Sequence, residues 1–167
     1  MNNRFTIQDI ARSAVGSINQ QAFAEKKQYE FLIGIDCGVN TGFAVYSKSE
    51  KKIIEIGSHK IHYSIERVKY WSQFSILVKV EDARLRKWIP KQANEKSERG
   101  RREGAGSVKR DATIWQDFLE DSGIDFEMVA PKNNKTKMSS DYFKKVTGYS
   151  AQTNQHARDA AMLVFGL

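Results

Sequence analysis

The stretch Gly34-Ile35-Asp36-Cys37-Gly38-Val39-Asn40-Thr41-Gly42-Phe43-Ala44 decides the fold of this chain. An apolar strand runs into an acidic residue, Asp36, and then turns through glycines directly into a second strand. A carboxylate in an apolar strand is costly to bury unless a cation, hydrogen-bond donors or water compensate its charge. Asp36 therefore indicates either a turn-capping aspartate or one member of a functional site, and this stretch alone does not choose between them.

The segments around this hairpin predict a mixed α/β domain. Strands are expected at 29–37, 42–47 and 52–57, joined by short polar links that suit an antiparallel meander. Helices and strands then alternate as helix 64–72, strand 74–81, helix 107–119, strand 124–130, helix 140–146 and helix 153–165. The predicted fold class is α/β, with three antiparallel strands followed by alternating helices and strands.

A second carboxylate ends another core strand, where Ile76-Leu77-Val78-Lys79-Val80 runs into Glu81-Asp82. Alternate residues of a strand point to opposite faces, so Glu81 shares a face with Leu77 and Lys79. Glu81 and Asp82 cannot both point into one site. We assign Glu81 to the site and Asp82 to capping the loop that follows.

The last predicted helix carries a third group, His156-Ala157-Arg158-Asp159-Ala160-Ala161. The i to i+3 spacing places His156 and Asp159 on one helical face, and the alanines let the helix lie close to the sheet. A lone helical histidine is more often a surface residue. Together with the two strand-end carboxylates, however, the pair forms a set of oxygen and nitrogen ligands that suits Mg²⁺ or Mn²⁺. Such ions can activate water for the hydrolysis of a phosphodiester.

Positive charge is concentrated in one part of the chain. The net charge is +7, and the segment from Arg84 to Arg110 holds ten basic and three acidic residues, which accounts for all of the excess. This segment, the basic strip, is interrupted by Pro90 and three glycines and is predicted to be a long loop. It indicates a polyanionic partner, nucleic acid first of all, although a solvated loop would have the same composition.

Three motifs in order carry a family resemblance. G-I-D-x-G-x-x-x-G at 34–42, V-E-D-A-R at 80–84 and H-x-x-D-A-A at 156–161 resemble the RuvC-type Holliday junction resolvases of the RNase H-like nuclease superfamily. The short form looks most like phage-encoded members. The resemblance covers residues 30–167 and implies an RNase H-like five-stranded mixed sheet flanked by helices, a homodimer, and Mg²⁺-dependent symmetric cutting of four-way DNA junctions.

The resemblance also implies roles for individual residues. Asp36, Glu81 and Asp159 match the family's metal-binding acids, and His156 falls where members carry aspartate or histidine, as a metal ligand or to position the attacking water. All four are thus expected to be catalytic and metal-binding. The family places a junction-opening loop after the second acid, where Trp88 is either a wedge between bases or an anchor packed under the loop. The expected DNA-binding residues are Arg84, Lys87, Trp88, Arg99, Arg101, Arg102, Lys109, Lys132, Lys135 and Lys137.

Residues 1–29 have no counterpart in the family's pattern, and we treat them as an N-terminal extension with an amphipathic helix over about 7–23. Residues 30–167 form the nuclease domain. The single cysteine, Cys37, excludes an intramolecular disulfide and a cysteine-built zinc site. No apolar run approaches the ~18 residues of a membrane span, and no signal peptide is apparent. We therefore expect no membrane partner and a cytoplasmic location, that of the host cell if the protein is phage-encoded.

Two other functions stay open. G-I-D-x-G also begins the phosphate-binding hairpin of actin-like and sugar-kinase ATPases, but those proteins use two such domains and 167 residues leave room for one. A non-catalytic DNA-binding module of the same fold is disfavoured, because it would have no reason to keep acids and histidine at all four positions.

Overall fold

The computed structural model describes residues 27–86, 95–131, 134 and 137–167, with the backbone alone for 95–103. The predicted N-terminal helix and the loop around Trp88 lie outside these residues.

One mixed sheet of five strands organises the domain, in the order β3-β2-β1-β4-β5. The first three strands form an antiparallel meander, and the last two run parallel to β1. The strands are β1 Phe31–Asp36, β2 Thr41–Ser47, β3 Lys52–His59, β4 Ile76–Glu81 and β5 Phe126–Val129. The predicted five-stranded mixed sheet is confirmed.

Within the described residues, four α-helices connect or follow these strands: α1 Ile61–Trp71, α2 Glu95–Asp121, α3 Ser140–Thr147 and α4 Gln155–Met162. Local capping explains three of their boundaries. The Ser139 hydroxyl accepts a hydrogen bond from the Tyr142 amide at the start of α3, and Gly148 ends that helix with a φ of 71°. At the start of α4 the Asn154 side chain accepts from the Ala157 amide.

Helix α2 corrects the prediction of a long loop over the basic strip. It begins at Glu95 and continues for 27 residues, so much of the strip is helical despite its glycines. Glycine costs about 1 kcal/mol in a helix interior, but Arg, Lys, Glu and Ala are good helix formers, and extending a helix that is already packed avoids the cost of nucleation. In the described residues no helix is both long and apolar enough to cross a bilayer.

Helices cover both faces of the sheet. On one face, Val68 of α1 and Trp115 and Leu119 of α2 are buried against strand residues such as Ile33 and Val78. On the other face, α3 contributes Phe143 and α4 contributes Ala160 and Ala161, packed against residues such as Leu32 and Ala44. Trp115 thus lies in the core, as its helical spacing predicts.

Helix α4 touches the sheet backbone itself. A methyl group at Gly34 would lie 2.0 Å from the Ala160 carbonyl oxygen, and one at Gly42 would lie 2.0 Å from the His156 carbonyl oxygen. No side chain fits between α4 and the hairpin at these two positions. The two glycines therefore fix how close the His156 and Asp159 helix comes to the end of β1.

We expect Gly34→Ala to destabilise the protein by about 1–3 kcal/mol or more, because the new methyl group meets backbone rather than a movable side chain. Gly104→Ala and Gly106→Ala are matched controls, since a Cβ at either position of α2 meets nothing within 4 Å. The controls should be stabilising by roughly 0.5–1 kcal/mol. Urea unfolding measures all three, and equal effects at positions 34 and 104 would contradict the close approach of α4.

Candidate active site

The strand register brings the first two carboxylates together. Asp36 and Glu81 are direct partners in the parallel pairing of β1 with β4. Adjacent strands lie about 4.8 Å apart, and the carboxyl ends of parallel strands are a common location for binding sites in α/β proteins. Asp36 follows Gly34 on the face that α4 covers, and Glu81 shares the face of Leu77, which packs in the same layer.

Asp82 turns away from this site, as strand alternation predicts. Its side chain is 2% exposed, accepts a hydrogen bond from the Arg84 amide and forms an ion pair with the Arg84 guanidinium at 2.9 Å. It caps a short 3-10 helix, Ala83–Leu85. The predicted capping role of Asp82 is confirmed.

Helix α4 brings its two predicted residues to the same place. His156 Nδ1 lies 2.8 Å from Asp36 Oδ2. Asp159 is buried, and its Oδ1 accepts a hydrogen bond of 2.8 Å from the Lys137 backbone amide. Lys137 lies in the loop that follows β5. It adopts a φ of 60°, and in this conformation its amide points toward Asp159.

Asn134, in the same loop, contacts two parts of the site. Its Nδ2 donates to Glu81 Oε2 at 2.7 Å and to the Asp159 carbonyl oxygen at 3.1 Å. The sequence did not single out Asn134, because an asparagine among lysines in a polar loop is typical of turns. The only available signal was the general rule that a buried carboxylate needs a hydrogen-bond partner.

The three acids share one pattern of hydrogen bonding. One oxygen of each is held, by His156 for Asp36, by Asn134 for Glu81 and by the Lys137 amide for Asp159. Within the part of the chain that the structure describes, the other oxygen of each has no such donor. Carboxylates that bind metals are typically oriented in this way, by hydrogen-bond donors that contact one oxygen and leave the other oxygen for the metal.

Burial and mutual repulsion act on these acids. Burial raises the pKa of Asp36, the hydrogen bond with His156 lowers it, and the charge of Asp159 raises it. Burial also raises the pKa of Glu81, as do the charges of Asp36 and Asp159, while Asn134 and Arg86 lower it. A cation between the carboxylates would relieve this cost, so the donor set fits a hard divalent ion.

No three of the described Asp, Glu, His or Cys side chains converge closely enough, as they stand, to form a ready-made metal site. The predicted ligand set of Asp36, Glu81, His156 and Asp159 therefore stays a prediction.

A cleft of about 280 Å³ opens beside Asp36 and Glu81. Its far wall belongs to α2, through Gly104, Ala105, Val108 and Lys109. Arg86, which was not among the predicted DNA-binding residues, also lines the cleft. Two carboxylates, Asp36 and Glu81, and two cationic side chains, Arg86 and Lys109, therefore line the same cleft.

The structure places the predicted DNA-binding residues in several different settings. Lys109 lines the cleft, and Arg84 is engaged internally with Asp82, Thr113 and Gln116. Arg99, Arg101 and Arg102 lie on the N-terminal half of α2, where the backbone alone is described. Lys87, Trp88, Lys132 and Lys135 lie outside the described residues, and Lys137 contributes its amide to Asp159.

Comparison with known proteins identifies the fold. A solved structure titled "T. thermophilus RuvC in complex with Holliday junction substrate" matches with a TM-score of 0.56 and 15% identity, covering 81% of this chain and 90% of that one. No protein-family model and no curated protein sequence matches the chain. The fold is therefore RNase H-like, of the kind found in RuvC.

Substitutions at Lys137 test the loop geometry. Lys137→Gly keeps the amide that Asp159 needs and tolerates the positive φ, so stability should stay within about 1 kcal/mol of the wild type. Lys137→Val should cost about 1–3 kcal/mol, because a β-branched residue resists this conformation. Thermal unfolding measures both variants, and equal effects would contradict the positive φ at Lys137.

Glu81→Gln should raise the melting temperature in divalent-free buffer, by an amount equivalent to about 0.5–2 kcal/mol, because it removes a desolvated charge repelled by its neighbours. The pH dependence of this stabilisation follows from the raised pKa of Glu81. A carboxyl whose folded-state pKa is raised contributes stability that is present below its unfolded-state value of about 4 and is lost as the pH rises through the folded-state value.

The stabilising effect of Glu81→Gln should therefore be largest at neutral pH and vanish near pH 4, as roughly set by the ordinary carboxyl pKa. Thermal scans across this range with EDTA measure the effect. A destabilised Glu81→Gln variant at neutral pH would contradict the described electrostatics.

Proposed function

We propose that this protein is a divalent-metal-dependent endonuclease that cuts branched DNA, with the four-way Holliday junction as its substrate. The observation that carries the proposal is the meeting of Asp36, Glu81, Asp159 and His156 at one edge of the sheet, beside a cleft with basic residues. A solved RuvC of the same fold, in complex with a Holliday junction substrate, supports the choice of substrate.

The acids are suited to Mg²⁺, with Mn²⁺ as a substitute. When bound, such ions supply activation of the attacking water and stabilisation of the leaving oxygen of the phosphodiester. The free oxygens of Asp36, Glu81 and Asp159 would hold them. The hydrogen bonds on the opposite oxygens orient each carboxylate before any ion arrives.

His156 is oriented by Asp36 through Nδ1. Its Nε2 is then the ring atom left for an ion or for the proton of the attacking water. The side chain is 49% exposed, so Nε2 can be reached from solvent and substrate.

Basic residues near the acids would hold the DNA backbone. Arg86 and Lys109 line the cleft itself, and the basic N-terminal half of α2 leads away from it. Phosphate contacts of this kind fix the position of DNA without reading its sequence. A homodimer would place two equivalent sites on a symmetric junction, which two related cuts require.

The test is incubation of the purified chain with a synthetic four-way junction and a linear duplex of matched sequence, with and without Mg²⁺. We expect paired nicks confined to the junction and dependent on Mg²⁺. Binding without nicking would favour a non-catalytic DNA-binding module, and ATP hydrolysis without nicking would favour an actin-like or sugar-kinase-like ATPase.

Asp36→Asn, Glu81→Gln and Asp159→Asn should each reduce single-turnover cleavage by at least 10²-fold, on the order expected for loss of a group that stabilises the transition state. Junction binding should survive or tighten, because each change removes a negative charge near the phosphates. Gel-shift assays and single-turnover kinetics on the same junction separate the two effects. Near-normal cleavage by all three variants would disprove the assignment of the site.

A further inference from the structure

Among the described residues, Asn134 is the one uncharged side chain that hydrogen-bonds to two of the site's acidic residues. One nitrogen, Nδ2, reaches Glu81 Oε2 at 2.7 Å and the Asp159 carbonyl oxygen at 3.1 Å. It thereby joins the end of β4 to α4, two elements that are 53 and 25 residues away from it in sequence. Neither strand pairing nor helix packing requires this link.

The orientation of the Asn134 amide follows from its neighbours. Both contacted atoms are hydrogen-bond acceptors, so a flipped amide would bring Oδ1 against two other oxygens. Nδ2 therefore faces the acids. The remaining atom, Oδ1, is buried and has no hydrogen-bond partner among the described residues.

A buried carbonyl oxygen without a donor is unfavourable, and it is satisfied when a water or another donor enters the site. The same carboxamide thus restrains one oxygen of Glu81 and offers an acceptor beside it. Arg86 lowers the pKa of Glu81 from the cleft side, so the Glu81 carboxylate has a neutral donor and a cationic neighbour.

We propose that Asn134 is a positioning residue that presents Glu81, together with the Asp159 segment, to a divalent cation, and so sets the affinity of the site for that cation. The inference deepens the proposed function, since it concerns the same site. A neutral donor is required here because a lysine or arginine in its place would compete with the cation for Glu81. Groups that orient metal ligands in this way typically change metal affinity by 10–100-fold when removed.

The first measurement is binding of Mn²⁺ alone to the full chain without DNA, by the loss of the free-ion electron paramagnetic resonance signal. Asn134→Ala should weaken Mn²⁺ binding by about 10-fold or more. The matched control is Gln73→Ala, which removes an exposed amide whose Nε2 donates to the Tyr70 carbonyl oxygen, before the end of β4 that is opposite to Glu81. The control should leave Mn²⁺ affinity unchanged.

The second measurement is the rise in melting temperature that Mg²⁺ produces. A bound ligand stabilises the folded state by RT ln(1 + [L]/Kd), which increases with affinity, so the increment reports cation binding independently of cleavage. Asn134→Asp adds a carboxylate against Glu81 and should melt below the wild type in EDTA but gain a larger increment from Mg²⁺. Asn134→Ala should gain a smaller increment than the wild type.

A purely structural role would lower the melting temperature of both variants and leave the Mg²⁺ increment unchanged. Equal increments in all three proteins, or Mn²⁺ affinity of Asn134→Ala within twofold of Gln73→Ala, would overturn the proposal. So would a wild-type chain that binds no Mn²⁺ at millimolar concentration. If Asn134→Ala does not fold, Asn134→Ser, a smaller change that also removes the Nδ2 group, replaces it in both measurements.

The outcomes for Asn134 and for the proposed function are distinguishable. Weakened Mn²⁺ binding in Asn134→Ala, with no junction cleavage by the wild type, would support the role of Asn134 and refute the resolvase function. Junction cleavage by the wild type, with unchanged Mn²⁺ binding in Asn134→Ala, would do the reverse. Junction binding in EDTA should be equal for the wild type and Asn134→Ala, since the variant changes no charge.

Discussion

The close approach of α4 to the β1–β2 hairpin is the constraint on which the site depends. The His156 and Ala160 carbonyl oxygens lie where side chains would be on the sheet, and glycines at 42 and 34 leave that space empty. Gly42 is also the strand partner of Asp36. Because the α4 backbone packs directly on the hairpin, His156 forms a hydrogen bond with Asp36. Asp159, on the same face of α4, is buried between the helix and the sheet.

This packing creates an electrostatic conflict that the surrounding groups only partly resolve. Burial and mutual repulsion raise the pKa of both Asp36 and Glu81. The donors that compensate are a histidine, an amide side chain and a backbone amide, none of which carries a permanent charge. The carboxylates are therefore ordered, and their negative charge is only partly compensated, which is a condition that favours the binding of a divalent cation.

The sequence predicts the strand-end part of this site because strand geometry has few alternatives. Parallel neighbours place Asp36 beside Glu81, and alternation along β4 separates Glu81 from Asp82, as the structure confirms. Asn134 and the Lys137 amide could not be predicted in this way. Their contacts depend on the path of an irregular loop, in which a positive φ at Lys137 decides where the amide points. Hydrophobic periodicity carries no information about such a path.

The error over the basic strip has a physical consequence for function. A helix of 27 residues is about 40 Å long, whereas a six-residue strand spans about 20 Å. The buried contacts of α2 at Ala112, Trp115 and Leu119 lie in its C-terminal half, so its N-terminal half extends past the sheet edge that holds the acids.

In a loop, the basic residues of the N-terminal half of α2 could change their spacing. A helix fixes the spacing of their backbone positions along its axis. Under the proposed function, the phosphates contacted by α2 are then held at set distances from Asp36 and Glu81. Under the same proposal, the acids would repel a DNA backbone, and the basic helical half beside them would supply the attraction that brings one phosphodiester to them.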